Sequence, residues 1–377
     1  MKSYDVLIVG AGIVGCACAR ECALAGLRVG LVESNLPGGG ATAAGMGHIV
    51  VMDDSPAQFG LTHYSRGLWQ QLIPKLPNAA EYETRGTLWV AADEEEMAEV
   101  HAKQLTYRAA GVRANVLDAT EMAAEEPRLR QGLAGGLLVP DDGVVYPPAA
   151  ADWLLRDALA IGATLTLGSP AVSAWNGELR LADGTTLHSD RIVLATGADI
   201  NLLSTLPIKK RKGHLLITDR YPGFVQHQIV ELGYLKSAHK LEADSIAFNI
   251  QPRRTGQLLI GSSRQFGNEN YQSDLGILRQ MLQRAQSFMP ELAQLSGLRV
   301  WTGFRAATPD KLPLIGPAEG LSDDRKLWLA VGFEGLGITN APAAARLLTD
   351  QILGRISEID IAPYLPRRMS SQAAAHA

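Results

Sequence analysis

The turn after the first strand constrains this chain most. Residues 5–10, DVLIVG, read as a short buried strand, and Gly10-Ala11-Gly12-Ile13-Val14-Gly15 follows at once. Residues 13–25 read as a helix of small residues, and residues 28–33, RVGLVE, as a second strand. A βαβ unit with GxGxxG at its first turn is the sequence form of a dinucleotide cradle. Gly10 permits the tight turn, Gly12 lets backbone approach a pyrophosphate, and Gly15 lets the helix pack closely on the sheet. Ile13 and Val14 open the helix whose N-terminus would face the phosphates. Glu33, followed by Ser34, ends the second strand about 20 residues on, where an acid hydrogen-bonds ribose hydroxyls and disfavours a 2′-phosphate.

A chain of 377 residues exceeds one ordinary core, so two domains are expected. Hydrophobic residues make up 46%, enough to bury a large core. The net charge is −4 with no densely basic stretch, which argues against nucleic acid or an anionic membrane as the main partner. The first strand starts without a secretory leader, and no apolar run approaches the ~18 residues of a membrane span, so a cytoplasmic location is expected. Cys16, Cys18 and Cys22 are too few and too clustered for a disulfide framework. They read as small packing residues on one helix, and no metal site is expected.

Three stretches favour FAD over NAD. Residues 38–49, GGGATAAGMGHI, form a small-residue loop in which Ala44, Gly45 and Met46 let backbone approach a planar ligand. Residues 191–199, RIVLATGAD, read as a strand ending at Thr196 and Gly197, like the ATG segment of FAD-binding proteins. Upstream, Val172 is either an adenine contact or plain core. Residues 327–353 read as strand, glycine loop and long helix. Gly332, Gly335 and Gly337, with Glu334 and Leu336 between them, permit a tight wrap, and a helix N-terminus near Ile338 and Thr339 suits the negative charge of a reduced flavin. Only one dinucleotide fingerprint occurs, and no CxxxxC redox pair.

These pieces together resemble the D-amino-acid oxidase superfamily, in its branch of glycine oxidase, sarcosine oxidase and bacterial D-amino-acid dehydrogenases. The anchors are VGAGIVG (9–15), Glu33, ATGAD (195–199), QPRRTGQLLIGSSRQF (251–266), GFRAATPDKLPLIGP (303–317) and VGFEGLGITNAPA (331–343). AAGMGHIVVMDDSPAQ (43–58) and the IGSSRQF segment look more specifically like the flavin-bearing β subunit of D-hydroxyproline dehydrogenase. The resemblance implies an α/β fold: a Rossmann-like FAD-binding domain with a second, mixed β-sheet substrate domain. The expected boundaries are 1–75, 145–205 and 298–377 for the first and 76–144 and 206–297 for the second. Within the second, strands are expected at 86–91, 213–219 and 257–263, a helical insert at 273–295, and an amphipathic helix with a solvated face at 94–111. The last residues, SSQAAAHA, are expected to be a disordered tail.

The resemblance also implies roles. Arg305 of the G-x-R motif would grip a substrate carboxylate with its planar fork. Such a clamp would orient the C–H for hydride transfer to flavin N5. Asn249 stands where glycine oxidase has a tyrosine, which puts glycine itself in doubt. Arg264 either binds substrate or caps a strand, and His48 either serves substrate or is an ordinary loop residue. With no cysteine after Cys22, FAD would be held noncovalently. The implied reaction oxidises the CH–NH bond of a small amino or cyclic imino acid. Reoxidation is left open between O2 and an electron-accepting partner subunit or membrane quinone carrier, the latter implying a hetero-oligomer.

Overall fold

The computed structural model describes residues 3–202, 206, 208–233 and 244–369. The expected tail, SSQAAAHA, lies outside the described residues. The chain divides into two compact units: Met1–Ala80, Tyr146–Lys210 and Arg305–Ala377 form the first, and Glu81–Val145 and Arg211–Phe304 the second.

In the first unit, β1 (Ser3–Val9) is central to an eight-stranded sheet. Its run Val6–Ile8 is fully buried, as a strand covered on both faces requires. It pairs in parallel with β2 (Val29–Glu33) on one side and with Thr186–Leu194 on the other. Thr164–Leu167 extends the sheet beyond β2, and Leu327–Val331, then antiparallel Leu314–Pro317, extend it beyond Thr186–Leu194. Helix α1 (Ile13–Leu24) packs against helices Pro147–Ile161 and Gly337–Leu353. All three cysteines of α1 are buried, alongside Ala17, Ala19 and Ala23. Their small volumes let two helices approach one.

The second unit is built on another eight-stranded sheet, in the order Gly297–Ala307, Lys209–Arg220, Gln257–Arg264, Ser245–Pro252, Gln228–Glu231, Thr87–Ala91, Gly135–Val139, Asn115–Asp118. The expected insert is helix Leu275–Phe288, capped by the Asp274 side chain, followed by a 3-10 turn at Pro290–Gln294. Its buried Leu278, Met281, Ala285 and Phe288 cover Phe248 and Ile250, with the Phe248 and Phe288 rings stacked at 5.0 Å. Helix Glu94–Ala109 has an exposed face, as expected, but its inner side carries more than apolar residues. Lys103 is buried there, its Nζ 4.7 Å from the Trp89 ring and 5.1 Å from that of Tyr107, so cation–π attraction offsets its desolvation.

Candidate functional site

The turn between β1 and α1 is sterically committed to glycine. Gly10 has φ +104°, and a Cβ there would come 2.6 Å from the Ala195 carbonyl oxygen. A Cβ on Gly15 would come 1.9 Å from the Gly10 carbonyl oxygen. Strand, turn and helix therefore touch backbone to backbone, beside the segment Ala195-Thr196-Gly197. Gly12 is the N-cap of α1 and offers no side-chain cap, so the first-turn amides of Ile13, Val14 and Gly15 have no partner within the helix.

Glu33 closes the other side of the turn. One carboxylate oxygen accepts from Ala11 N at 2.8 Å; the other accepts from Asn35 N at 2.8 Å and from the Ser34 hydroxyl at 3.3 Å. Cys16 lies beneath, its thiol donating to the Ala11 carbonyl oxygen at 3.3 Å. Burial, with the Glu33 charge adding to it, pushes that thiol up to about 12, so it stays protonated and packs the turn rather than reacting.

The 38–49 stretch is not a continuous loop. It contains a helical turn at Ala41–Ala44 and a short strand at His48–Ile49. The turn places Thr42, which the sequence did not single out. Its buried Oγ1 accepts from Ile13 N at 3.0 Å, leaving the hydroxyl proton to serve a phosphate oxygen. Ala44, Gly45 and Met46 are half-buried beyond it, and a Cβ on Gly45 would come 2.7 Å from Ile338 Cδ1.

The C-terminal glycine loop is built differently from expectation. Gly332 has φ +79°, but the second left-handed position is Glu334, at φ 51°, not Gly335 or Gly337. Glu334 pairs with Ala306, its N–H donating to that carbonyl at 3.0 Å, and so the loop is laid along the end of strand Gly297–Ala307. Gly335 is needed for clearance: its missing Cβ would lie 3.4 Å from Arg305 Nε and 3.6 Å from Cδ. Gly337 opens the last helix, with Leu336 as its N-cap, and a Cβ there would sit 3.9 Å from Val14.

That helix contains Pro342, which has no N–H and so leaves the carbonyl of Ile338 without its helical donor. Trp69 Nε1 supplies one, at 3.1 Å to Ile338 O and 3.0 Å to Thr339 O, and Ser65 Oγ donates to Thr339 O at 2.6 Å. The Thr339 hydroxyl donates to the His48 carbonyl at 2.8 Å, which fixes His48 at the same helix start. Pro342 in a helical run signals an orphan carbonyl, but no local pattern identifies Ser65 or Trp69 as the partners.

The first unit thus brings together Gly10–Gly15, Glu33 and Ser34, Thr42–Met46, His48, Thr196 and Gly197, Arg305, and Gly332–Thr339. Val172 is 55% exposed on strand Ala171–Trp175, so it is not plain core. Asn249 and Arg264 belong to the second unit. Asn249 pairs with Gly261, whereas Arg264 ends its strand opposite Ser245. Four residues of strand, about 13 Å, separate the two positions along the sheet.

The residues fit FAD. A glycine cradle, the buried Thr42, a half-buried Thr196 whose enclosed hydroxyl oxygen has no hydrogen-bond partner, and helix-start amides together offer what a pyrophosphate and its ribose require. Among the described residues no cluster of His, Cys, Asp or Glu could hold a metal ion, and no helix is long and apolar enough to cross a membrane.

Comparison with known proteins agrees with this arrangement. Residues 5–351 match the family described as FAD dependent oxidoreductase. The chain is 30% identical to a glycine oxidase of Pseudomonas aeruginosa, over 97% of this chain and 99% of that protein. It is 26% identical to a hydrogen cyanide synthase subunit, HcnC, of the same species, over 99% and 98%. Among solved structures, glycine oxidase from Geobacillus kaustophilus superposes with a TM-score of 0.86 at 27% identity, covering 98% of this chain and 99% of that one.

Proposed function

From the premise that this chain belongs to the FAD-dependent oxidoreductase family and acts on amino acids or amines, we propose that its substrate is a small amino or cyclic imino acid of the D-proline or D-hydroxyproline kind. Bound FAD supplies a two-electron acceptor for the hydride on the carbon next to nitrogen. The protein supplies grip and orientation. Arg305 carries the reading: it is a guanidinium set against Gly335, on the loop that opens the last helix. A carboxylate held there by two parallel N–H···O bonds has one orientation rather than many. The positive end of helix Gly337–Leu353 and the fixed amides around it favour negative charge accumulating nearby.

Asn249 in place of an aromatic hydroxyl supports a substrate other than glycine. The 30% identity to a glycine oxidase favours a second reading, an oxidase of glycine or sarcosine that uses O2. Similarity to a protein named as a synthase subunit supports a third arrangement, in which this cytoplasmic chain is the flavin-bearing partner in a hetero-oligomeric dehydrogenase.

The test is anaerobic reduction of the purified yellow protein by D-proline, 4-hydroxy-D-proline, sarcosine, glycine and other D-amino acids, followed by air. Bleaching by a cyclic imino acid, slowed at least thirtyfold in Arg305→Lys at subsaturating substrate, is expected. Bleaching by glycine or sarcosine alone, with rapid return in air, would select the second reading. No bleaching by any amino acid would end the proposal.

A further inference from the structure

The first turn of helix Gly337–Leu353 is held from outside the helix. Pro342 has no N–H to give to Ile338 O, the carbonyl four residues back. The next rung is opened as well. Ser65 Oγ accepts from Ala343 N at 3.2 Å and donates to Thr339 O at 2.6 Å, so one hydroxyl bridges the two groups that a regular helix pairs directly. The directions are fixed, because a backbone N–H only donates and the single Ser65 proton is left for the carbonyl. Trp69 Nε1 lies 3.1 Å from Ile338 O and 3.0 Å from Thr339 O and serves both. A side chain inserted in the ladder, in the rung after a proline, loosens the first turn from the turns that follow.

Both donors come from one face of helix Pro56–Leu72. Thr62, Ser65 and Trp69 stand at i, i+3 and i+7, each fully buried. Thr62 Oγ1 accepts from Met52 N at 3.0 Å, so the same stripe holds the segment that follows strand His48–Ile49. The Thr339 hydroxyl closes the group by donating to His48 O at 2.8 Å. Apolar side chains would fill this interface without the cost of burying polar groups. The polar ones present here serve the backbone around one helix start.

The Ile338 carbonyl and the Thr339 N–H belong to one peptide group. Thr339 is the third residue of the helix, so its N–H has no partner within the helix. A donor on the carbonyl oxygen polarises the group and makes its N–H a stronger donor. The indole N–H of Trp69 therefore acts through the peptide on whatever meets Thr339 N. We propose that Trp69, with Ser65, is a positioning residue for the cofactor: it fixes and polarises the turn that favours negative charge on reduced FAD, and so raises the reduction potential. This deepens the function proposed above and rests on its placing of that charge at this helix start.

The experiment measures the two-electron midpoint potential of the FAD-loaded protein, by anaerobic reduction in equilibrium with a redox dye. Trp69→Phe keeps an aromatic ring and removes the indole N–H. Its preference for reduced over oxidised FAD is expected to fall about tenfold, which is about 30 mV in potential. Pro342→Ala in that background returns a helical donor to Ile338 O, and the preference should recover to within about twofold of wild type. Pro342→Ala alone should change it by no more than that, because the carbonyl already has a donor. Ser65→Ala should lower it about threefold. An unchanged potential in folded, FAD-loaded Trp69→Phe overturns the inference. So does a fall that Pro342→Ala leaves in place, since a helical N–H does not repair lost packing. If Trp69→Phe does not fold, an unchanged potential in Ser65→Ala overturns it instead. Bleaching by amino acids with unshifted potentials removes this inference and leaves the proposed function; shifted and rescued potentials in a protein that no amino acid reduces do the reverse.

Discussion

Replacing Gly15 with alanine tests the cofactor cradle at its tightest point. The added Cβ would lie 1.9 Å from the Gly10 carbonyl oxygen, about 1.5 Å short of ordinary contact. The turn cannot retreat, because Gly10 is itself backed by the Ala195 carbonyl, 2.6 Å from where its own Cβ would be. Helix α1 must therefore move off the sheet, and both α1 and its two helical neighbours lose packing. Overpacking of this kind costs about 1–3 kcal/mol and more when the obstacle is backbone. At about 1.4 kcal/mol per tenfold, FAD binding should weaken by roughly 10- to 100-fold. The assay is the flavin-to-protein absorbance ratio after dialysis, with the dissociation constant from quenching of free FAD fluorescence. Gly67→Ala is the control: it lies within helix Pro56–Leu72, and a Cβ there meets nothing within 4 Å. It should stabilise the protein by about 0.5–1 kcal/mol and leave FAD untouched. A Gly15→Ala protein with full FAD and an unchanged melting temperature would refute the steric reasoning.

Thr42→Val leaves the buried Ile13 N–H without its acceptor and removes a hydroxyl proton from the cradle, so apoprotein stability should fall by about 1–3 kcal/mol and FAD affinity about tenfold, read by melting curves and titration. Glu231 is 2% exposed and is held by Arg284 and Phe248 N; Arg284→Met should cost about 2–3 kcal/mol by denaturant titration, and a neutral result would show that Phe248 N suffices. Burial pushes the Cys16 thiol from an ordinary 9.0 to about 12 and that of Cys22 to about 11. These acids bind protons more tightly folded than unfolded, so their contribution is fully present below pH 9 and is lost between about pH 9 and 12. The fall in melting temperature over that range should be shallower in Cys16→Ala/Cys22→Ala, and a thiol reagent should label the native protein only as it unfolds.

The legible parts of this protein were those whose chemistry is local. The β1–α1–β2 unit declared itself through glycines spaced for one turn and an acid at the end of the next strand. The final strand, glycine loop and helix were legible for the same reason. What escaped was set by distant partners. Thr42 is an unremarkable residue in a small-residue run until folding brings it to Ile13, 29 positions away. Ser65 and Trp69 meet the last helix from about 270 positions away. The left-handed backbone of Glu334 escaped because three neighbouring glycines were the natural candidates. Gln228, Thr87 and Asp142 look like isolated polar residues in strands and turns until parallel pairing puts Gln228 beside Thr87.

The interleaving of the two units also sets a timetable for biogenesis. Strand Ser3–Val9 leaves the ribosome long before one neighbour, Thr186–Leu194, and Leu327–Val331 emerges later still. Parallel pairings of such sequence separation are slow to nucleate, and a waiting apolar strand is exposed to misassociation. Fragments ending before residue 327 should therefore be insoluble or chaperone-bound. The nascent chain can acquire its cofactor only once the start of helix Gly337–Leu353 has emerged.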